Sequence, residues 1–196
     1  MPPHELILPP GLNFSAYDFA AAGSSHAFED YEIGERIAHI DGVTVEEAEH
    51  QMATRLYQNT ARVHFDAMTQ AGSRFGKRLI YGGVAMSLAR ALSFNGLGNA
   101  ALMLAINAGR HAGPLFAGDT LYAWSEVLDK ADLGAPENKI GALRLRLVAL
   151  KNSSAAEHPL KDAVGEYDSS VVLDLDYWAA IPKRGALTAS SGPGRA

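Results

Sequence analysis

The sequence predicts an α+β domain, an antiparallel sheet wrapped around one long buried helix, on three observations. Two helical apolar stripes come early, within Val45–Leu56 and Val84–Phe94. Strand-like runs fill most of the chain beyond them, with a period of two at Leu143-Arg144-Leu145-Arg146-Leu147. Helices first and strands afterwards is an α+β order, not the strand–helix alternation of a parallel sheet.

The chain has 196 residues, enough for one domain with a sizeable core. Hydrophobic residues are 47% and charged residues 20%, a soluble globular balance. A net charge of −5 argues against a general nucleic-acid binder. No long apolar run predicts a membrane span. Met1-Pro2-Pro3-His4-Glu5 lacks the basic start and apolar core of a signal peptide. With no cysteine there are no disulfides, thiolate nucleophiles or Cys-based zinc sites, and a cytoplasmic location is expected.

Residues 1–27 are rich in Pro, Ala, Gly and Ser, and Pro2, Pro3, Pro9 and Pro10 speak against regular structure at the start. Leu6, Ile7, Leu8, Phe14, Tyr17 and Phe19 are too apolar for a free tail, so an arm packed on its own domain or on a neighbour is expected. Phe28 to Glu35 reads as a lead-in with a turn at Gly34, and Ile37 to Val43 as a strand. Thr44 is placed to cap Glu47 while Glu47 reaches back, opening a helix whose face carries Val45, Ala48, Met52, Ala53 and Leu56. Gln70 to Arg78 is a polar loop. Val84, Ala85, Leu88, Ala89 and Leu92 share a stripe on a second helix, apolar nearly all round and therefore expected to be buried. Asn95-Gly96 stops it. Leu102–Asn107, Leu121–Leu128, Leu143–Leu147 and Val171–Leu175 are the later strands, with the arginines on the exposed face. Gly118-Asp119-Thr120 and Asp132–Asn138 are connections between them, and Ser153–His158 is a loop. The domain is set at 28–184, and the last dozen residues, 185–196, read as a disordered tail.

Chemistry concentrates in Leu56-Tyr57-Gln58-Asn59-Thr60-Ala61-Arg62-Val63-His64-Phe65-Asp66. His64 has the side chain best suited to proton transfer near neutral pH; the bland alternative is a structural imidazole. Asp66 is either a participant or a local cap. The other six histidines, His4, His26, His39, His50, His111 and His158, show no metal-ligand spacing, and no metal is expected. Trp124 and Trp178 read as packing residues.

Four of these stretches, in order, resemble the MaoC-like (hydratase 2) branch of the hot-dog fold. They are Phe28–Glu35, Val43–His64, Phe75-Gly76-Lys77-Arg78-Leu79-Ile80-Tyr81-Gly82-Gly83, and Gly118-Asp119-Thr120-Leu121 with Glu126-Val127. The resemblance covers roughly Phe28 to Leu150. Ala53–Asp66, Arg78–Gly83, Ser87–Leu97 and Tyr177-Trp178 further resemble the mesaconyl-CoA hydratase (β-methylmalyl-CoA dehydratase) family, whose chains carry two hot-dog halves; this chain is similar to the C-terminal half.

The resemblance implies an enzyme, a hydro-lyase that adds water to an enoyl-CoA or removes it from a 3-hydroxyacyl-CoA, here a short branched dicarboxylic acyl-CoA of the mesaconyl type. The substrate brings its own CoA, and no separate cofactor is implied. The family pattern Asp-x-Asn-Pro-Leu-His maps its His onto His64 and its Asp onto Asn59, with Ala61 and Arg62 at its Asn and Pro. An amide cannot take a proton at neutral pH. His64 is therefore cast as the acid/base and Asn59 as the group that orients water. Gly82 and Gly83 hold the thioester oxygen or merely let the helix pack closely. Tyr81 stands where the family has a His. Arg62 is a candidate for a distal carboxylate, and Arg55, Arg90 and Lys77 for CoA phosphates. Two other readings stay open, a non-catalytic acyl- or CoA-binding half and a hot-dog thioesterase. Since hot-dog units pair edge to edge, a homodimer or pairing with another unit is expected.

Overall fold

A computed structural model describes residues 1–156 and 159–185. In chain order they form β1 (Arg36–Thr44), α1 (Glu47–Leu56), α2 (Ala67–Ala71), α3 (Gly82–Leu92), α4 (Phe94–Leu97), β2 (Leu102–Arg110), β3 (Thr120–Leu133), β4 (Ile140–Lys151) and β5 (Val171–Pro182). The five strands make one sheet in the order β1-β3-β4-β5-β2, each pair antiparallel. Helix α3 lies across one face and reaches β1, β3, β4 and β5. This is the expected sheet around a helix. No helix among the described residues is long and apolar enough to cross a membrane.

Alternation builds the core. Leu143, Leu145, Leu147 and Ala149 of β4 point to the α3 side, where they join Val84, Ala85, Ala89 and Leu92. Removing one such leucine side chain would cost on the order of 2–5 kcal/mol. The opposite face carries Trp124, Val148, Leu150 and Val171 in a smaller cluster. Arg144 and Arg146 are on that opposite face but are not simply solvated. Arg144 forks onto Asp176 of β5, with Nε–Oδ1 at 2.9 Å and Nη2–Oδ2 at 2.6 Å, and Arg146 Nε reaches Asp174 at 3.1 Å.

Strands β3 and β5 outrun their sequence limits, reaching Leu133 and Pro182. Asp129, Lys130, Asp132, Asp174 and Asp176 interrupt the apolar runs, yet they stay paired with β4, those of β3 beyond a register shift between Val127 and Asp129.

Helix α1 departs from expectation. Thr44 does not cap it; Thr44 ends β1, and its hydroxyl lies 2.8 Å from that of Thr120 on the paired strand. Glu46 takes the N-cap position, and Glu47 ion-pairs with Arg78. The buried face belongs to His50 and Thr54, while Ala48, Met52 and Leu56 are exposed. Residues 50 and 52 are about 200° apart on a helix, so burying one turns the other outward. The apolar stripe is real, but this chain does not cover it.

Helix α3 likewise buries one side and leaves Ser87 and Ala91 exposed, rather than being buried all round. It ends at Leu92, before the Asn95-Gly96 stop expected from the sequence; the chain turns within α4 at Gly96, whose φ of +98° is a left-handed conformation that suits glycine, and the Gly96 carbonyl accepts from the Tyr31 hydroxyl at 2.7 Å.

The N-terminal arm packs on its own chain. The Met1 amino group donates to Asn107 at 3.1 Å, and Trp178 Nε1 donates to the Met1 carbonyl at 3.1 Å. Phe14, Tyr17 and Phe19 stack edge to face, and the Tyr17 hydroxyl donates to Asn99 at 2.8 Å. A short 3-10 turn at Pro3–Glu5 gives even the proline-rich start local order. Of the tail expected at 185–196, residues 186–196 lie outside the described residues, as does His158.

Candidate active site

The loop between α1 and α2 is built around His64. Tyr57 closes the helix, and Gln58 turns the chain with a φ of +53°. The Asn59 side-chain oxygen accepts from the Ala61 N–H at 2.9 Å, an Asx turn. Arg62–His64 form a 3-10 turn, and Asp66 caps α2 through Thr69, accepting from its N–H at 3.0 Å and its hydroxyl at 2.6 Å. These two bonds hold the Asp66 carboxyl below its ordinary range.

His64 is pinned on three sides. Its N–H donates to the Ala61 carbonyl at 3.0 Å, its own carbonyl accepts from Gln51 Nε2 at 2.8 Å, and ring Nδ1 lies 3.0 Å from the Leu79 carbonyl. A carbonyl oxygen only accepts, so Nδ1 carries the proton. In the neutral ring Nε2 is then the basic nitrogen. The Leu79 N–H returns a bond to Val63 at 3.1 Å, which ties the loop to the segment leading into α3.

That segment and the one after β2 meet through Ile80 N–H and the Leu115 carbonyl at 2.9 Å. Between them opens a cavity of about 540 Å³. His64, Tyr81, Gly82, Gly83 and His111 supply its polar features. Leu79, Ile80, Ala85, Met86, Pro114, Leu115 and Val172 supply apolar wall. No carboxylate is among these lining residues. Gly82 and Gly83 are the first two residues of α3, and the N–H groups of a helix's first turn have no partner within the helix. They sit at the positive end of its dipole. Both glycines also lie close against a neighbouring ring. A Cβ on Gly82 would lie 2.5 Å from His111 Nε2, and one on Gly83 would lie 2.8 Å from the Tyr81 ring. The Tyr81 ring stands 5.8 Å from that of His64, centre to centre.

The structure thus brings His64, Tyr81, Gly82 and Gly83 together. It does not bring Asn59 or Arg62 into the cavity. The Asn59 side-chain oxygen accepts the Ala61 N–H within its own turn, where it shapes the loop. Arg62 is exposed. Asp66 is a cap, the local alternative. Among the phosphate candidates, Arg90 is engaged internally by Ser93 at 2.9 Å, the Tyr177 hydroxyl at 3.0 Å and the Ala100 carbonyl at 3.2 Å. Lys77 rests over the Phe116 ring at 4.3 Å, beside a smaller hollow, and Arg55 is exposed.

Sequence spacing gave no reason to place two further imidazoles here. His50 is buried on α1, with its ring 6.3 Å from that of His64 and nearly perpendicular to it. Burial, and after it the neighbouring His64 and Arg78 against an opposing pull from Glu47, holds its pKa below the ordinary imidazole range. His111, just beyond β2, lines the cavity; burial first and His64 second lower its pKa too. Neither has a motif spacing to His64. Only the pairing of distant segments brings them near. Among the described residues no three such groups close on a metal-ligand geometry.

Comparison with known proteins shows the family. A family model described as mesaconyl-CoA hydratase matches residues 2–160, which extends the likeness beyond Phe28–Leu150 and into the arm. The chain is 54% identical over 185 residues to a β-methylmalyl-CoA dehydratase from Chloroflexus aurantiacus, covering 94% of this chain and 52% of that protein. It is 56% identical over 179 residues to a mesaconyl-CoA hydratase from Cereibacter sphaeroides, covering 91% and 50%. A solved MaoC domain protein from Chloroflexus aurantiacus superposes with a TM-score of 0.87 at 55% identity, covering 94% of this chain and 52% of that one. A Mycobacterium tuberculosis protein with a double hot-dog fold gives 0.61 at 20% identity, covering 87% and 48%, a likeness of fold alone. The chain spans about half the length of the curated relatives it matches.

Proposed function

The chain belongs to the mesaconyl-CoA hydratase family, and from that premise we propose that it is an acyl-CoA hydratase/dehydratase acting on a short branched dicarboxylic enoyl-CoA of the mesaconyl type. The observation that carries the reading is one cavity holding both His64, with a fixed basic Nε2, and the opening N–H groups of α3.

Hydration draws on both. Nε2 of His64 takes a proton from water as the water oxygen bonds to the β-carbon. The π electrons of the double bond move toward the thioester, whose oxygen accepts hydrogen bonds from Gly82 and Gly83. The proton then passes to the α-carbon, and the enolate collapses to product. Elimination is the reverse. The chemistry runs without a separate cofactor, since CoA arrives with the substrate. Asn59 serves by holding the turn that presents His64, and Tyr81 by walling the cavity beside it.

We read the chain as one hot-dog unit that pairs with another, in a homodimer or with a second half, in the cytoplasm. Its half-length match supports this, as does edge strand β2, which exposes Leu102 and Ile106. A paired unit would cover such an edge. A solution mass near twice the 20.9 kDa of the chain is expected.

The cavity's lack of a carboxylate favours one second reading, a half that binds acyl-CoA and leaves chemistry to a partner. It also counts against a thioesterase, which needs such a group near the thioester. The deciding experiment is hydration of mesaconyl-CoA by the purified chain, followed by loss of ultraviolet absorbance, beside His64→Ala. Turnover abolished by that substitution supports the hydratase. Binding without turnover on mesaconyl-, itaconyl- and crotonyl-CoA supports the binding half, and release of free CoA supports the thioesterase.

A further inference from the structure

A third polar group faces the place where the two glycine N–H groups open α3. The imidazole of His111 lines the same cavity, with its Nε2 edge against the α-carbon of Gly82; a methyl group on Gly82 would meet Nε2 at 2.5 Å and Cε1 at 2.6 Å. Neither ring nitrogen has a hydrogen-bond partner among the described residues. The neighbouring imidazoles differ in this. His64 is held by Leu79, and His50 Nδ1 lies 3.4 Å from Gln51 Nε2. His111 is thus an exposed polar ring placed beside a candidate anion site, with no protein partner among the described residues.

We propose that His111 donates its Nε2 proton to the thioester oxygen of the substrate, as a third donor beside the N–H groups of Gly82 and Gly83. This rests on the hydratase reading for what the oxygen does, but not for where it binds. Charge moves onto that oxygen when water adds at the β-carbon, and each aimed donor stabilises it most at that moment. A neutral imidazole suits the role, because it donates a hydrogen bond without placing a second full charge beside His64 as that ring takes its proton from water. The depressed pKa of His111 agrees with a ring that is neutral at pH 7. The proton stays on Nε2 throughout; His64 alone gains and returns one.

The test reads the thioester carbonyl directly. 2-Methylsuccinyl-CoA, the saturated counterpart of mesaconyl-CoA, has no double bond to hydrate and is labelled with carbon-13 at the thioester carbonyl. On binding the wild-type protein its resonance is expected to move downfield, as a polarised carbonyl does. His111→Ala should lose at least half of that displacement at saturating ligand, and His111→Gln, which retains an N–H near the same place, should regain part of it. In the hydration assay His111→Ala should lower kcat about 10²-fold with KM changed less than threefold, which is the pattern of a donor used chiefly in the transition state. A full displacement in His111→Ala, or none in the wild type, overturns the proposal. A displaced carbonyl in a wild-type protein that hydrates no enoyl-CoA would instead overturn the hydratase reading and leave His111 where it is placed.

Discussion

The Nδ1–H of His64 donates to the Leu79 carbonyl at 3.0 Å, and this one bond decides which nitrogen of the ring is basic. It joins the loop after α1 to the segment before α3, so the His64 ring and the opening N–H groups of α3 are positioned by one piece of local structure. His64→Ala should reduce hydration by about 10²–10⁴-fold, while acyl-CoA affinity measured by calorimetry changes only a few-fold. Activity within tenfold of wild type would place the base elsewhere.

Gly83→Ala separates stability from activity. The added methyl meets Cε1 and Cζ of Tyr81 at 2.8 Å, and those atoms are the movable end of a side chain. Alanine is also the better helix former, by roughly 0.5–1 kcal/mol. Thermal unfolding should therefore shift by no more than about 1 kcal/mol, whereas kcat/KM should fall at least about tenfold as the Tyr81 ring is pushed from its place beside His64. An unchanged kcat/KM would show that Tyr81 has no part in shaping the site.

Asn59 should prove milder than His64. Its side-chain oxygen makes a turn bond worth about 1 kcal/mol. Asn59→Ala is expected to keep activity within about tenfold of wild type, and Asn59→Asp, which retains the acceptor, to lie closer still. A loss as deep as that of His64→Ala in steady-state hydration would restore a direct role in holding water.

His39 makes the fold sensitive to mild acid. It is buried; its Nδ1–H donates to the Asn95 carbonyl at 2.6 Å, and its Nε2 accepts from the Ser125 hydroxyl at 2.9 Å. Burial lowers its pKa more than the Asn95 bond raises it, with a smaller lowering from Arg90. The unfolded ring, near 6.5, therefore takes up protons first. Its stabilising share is complete above that pH and is lost as pH falls through the lower folded value. Urea midpoints should decline from pH 6.5 to 5 more steeply for wild type than for His39→Gln. Equal slopes would remove His39 as a cause.

Asp176 links β5 to β4 through Arg144 and to β2 through Asn107, whose side-chain N–H donates at 2.7 Å. Burial alone would raise its pKa, but the bonds from Arg144 and Asn107 outweigh it and hold the carboxyl low. A lowered carboxylate stabilises above its unfolded pKa and loses that share as pH falls through the folded one. Asp176→Asn should cost about 2 kcal/mol near pH 7 by urea unfolding, with the difference from wild type shrinking below about pH 4. A constant difference down to pH 3 would mean that packing, not charge, is what the substitution removes.

The sequence by itself determined the order of the strands, the α3 core stripe and the alternation of β4, because each is written in local spacing, and the loop's resemblance to its family pointed to His64, Gly82 and Gly83, which the fold gathers at one cavity. It misplaced the buried face of α1. A helical stripe of Ala48, Met52 and Leu56 says which residues share a face, not whether that face is covered, and here the fold buries His50 and Thr54 instead. Asn59 was assigned by its match to the family's Asp position and Arg62 by the distal carboxylate of a mesaconyl-type substrate; neither is among the residues that line the cavity, because the tight turn sends close neighbours in different directions. The place of His111 was legible only in the folded chain. It lies 47 residues after His64, and no periodicity joins them. What brings the two rings to one cavity is the bond from Ile80 to Leu115 and the packing of β2 beside β5, and such long-range pairing is a property of tertiary structure alone.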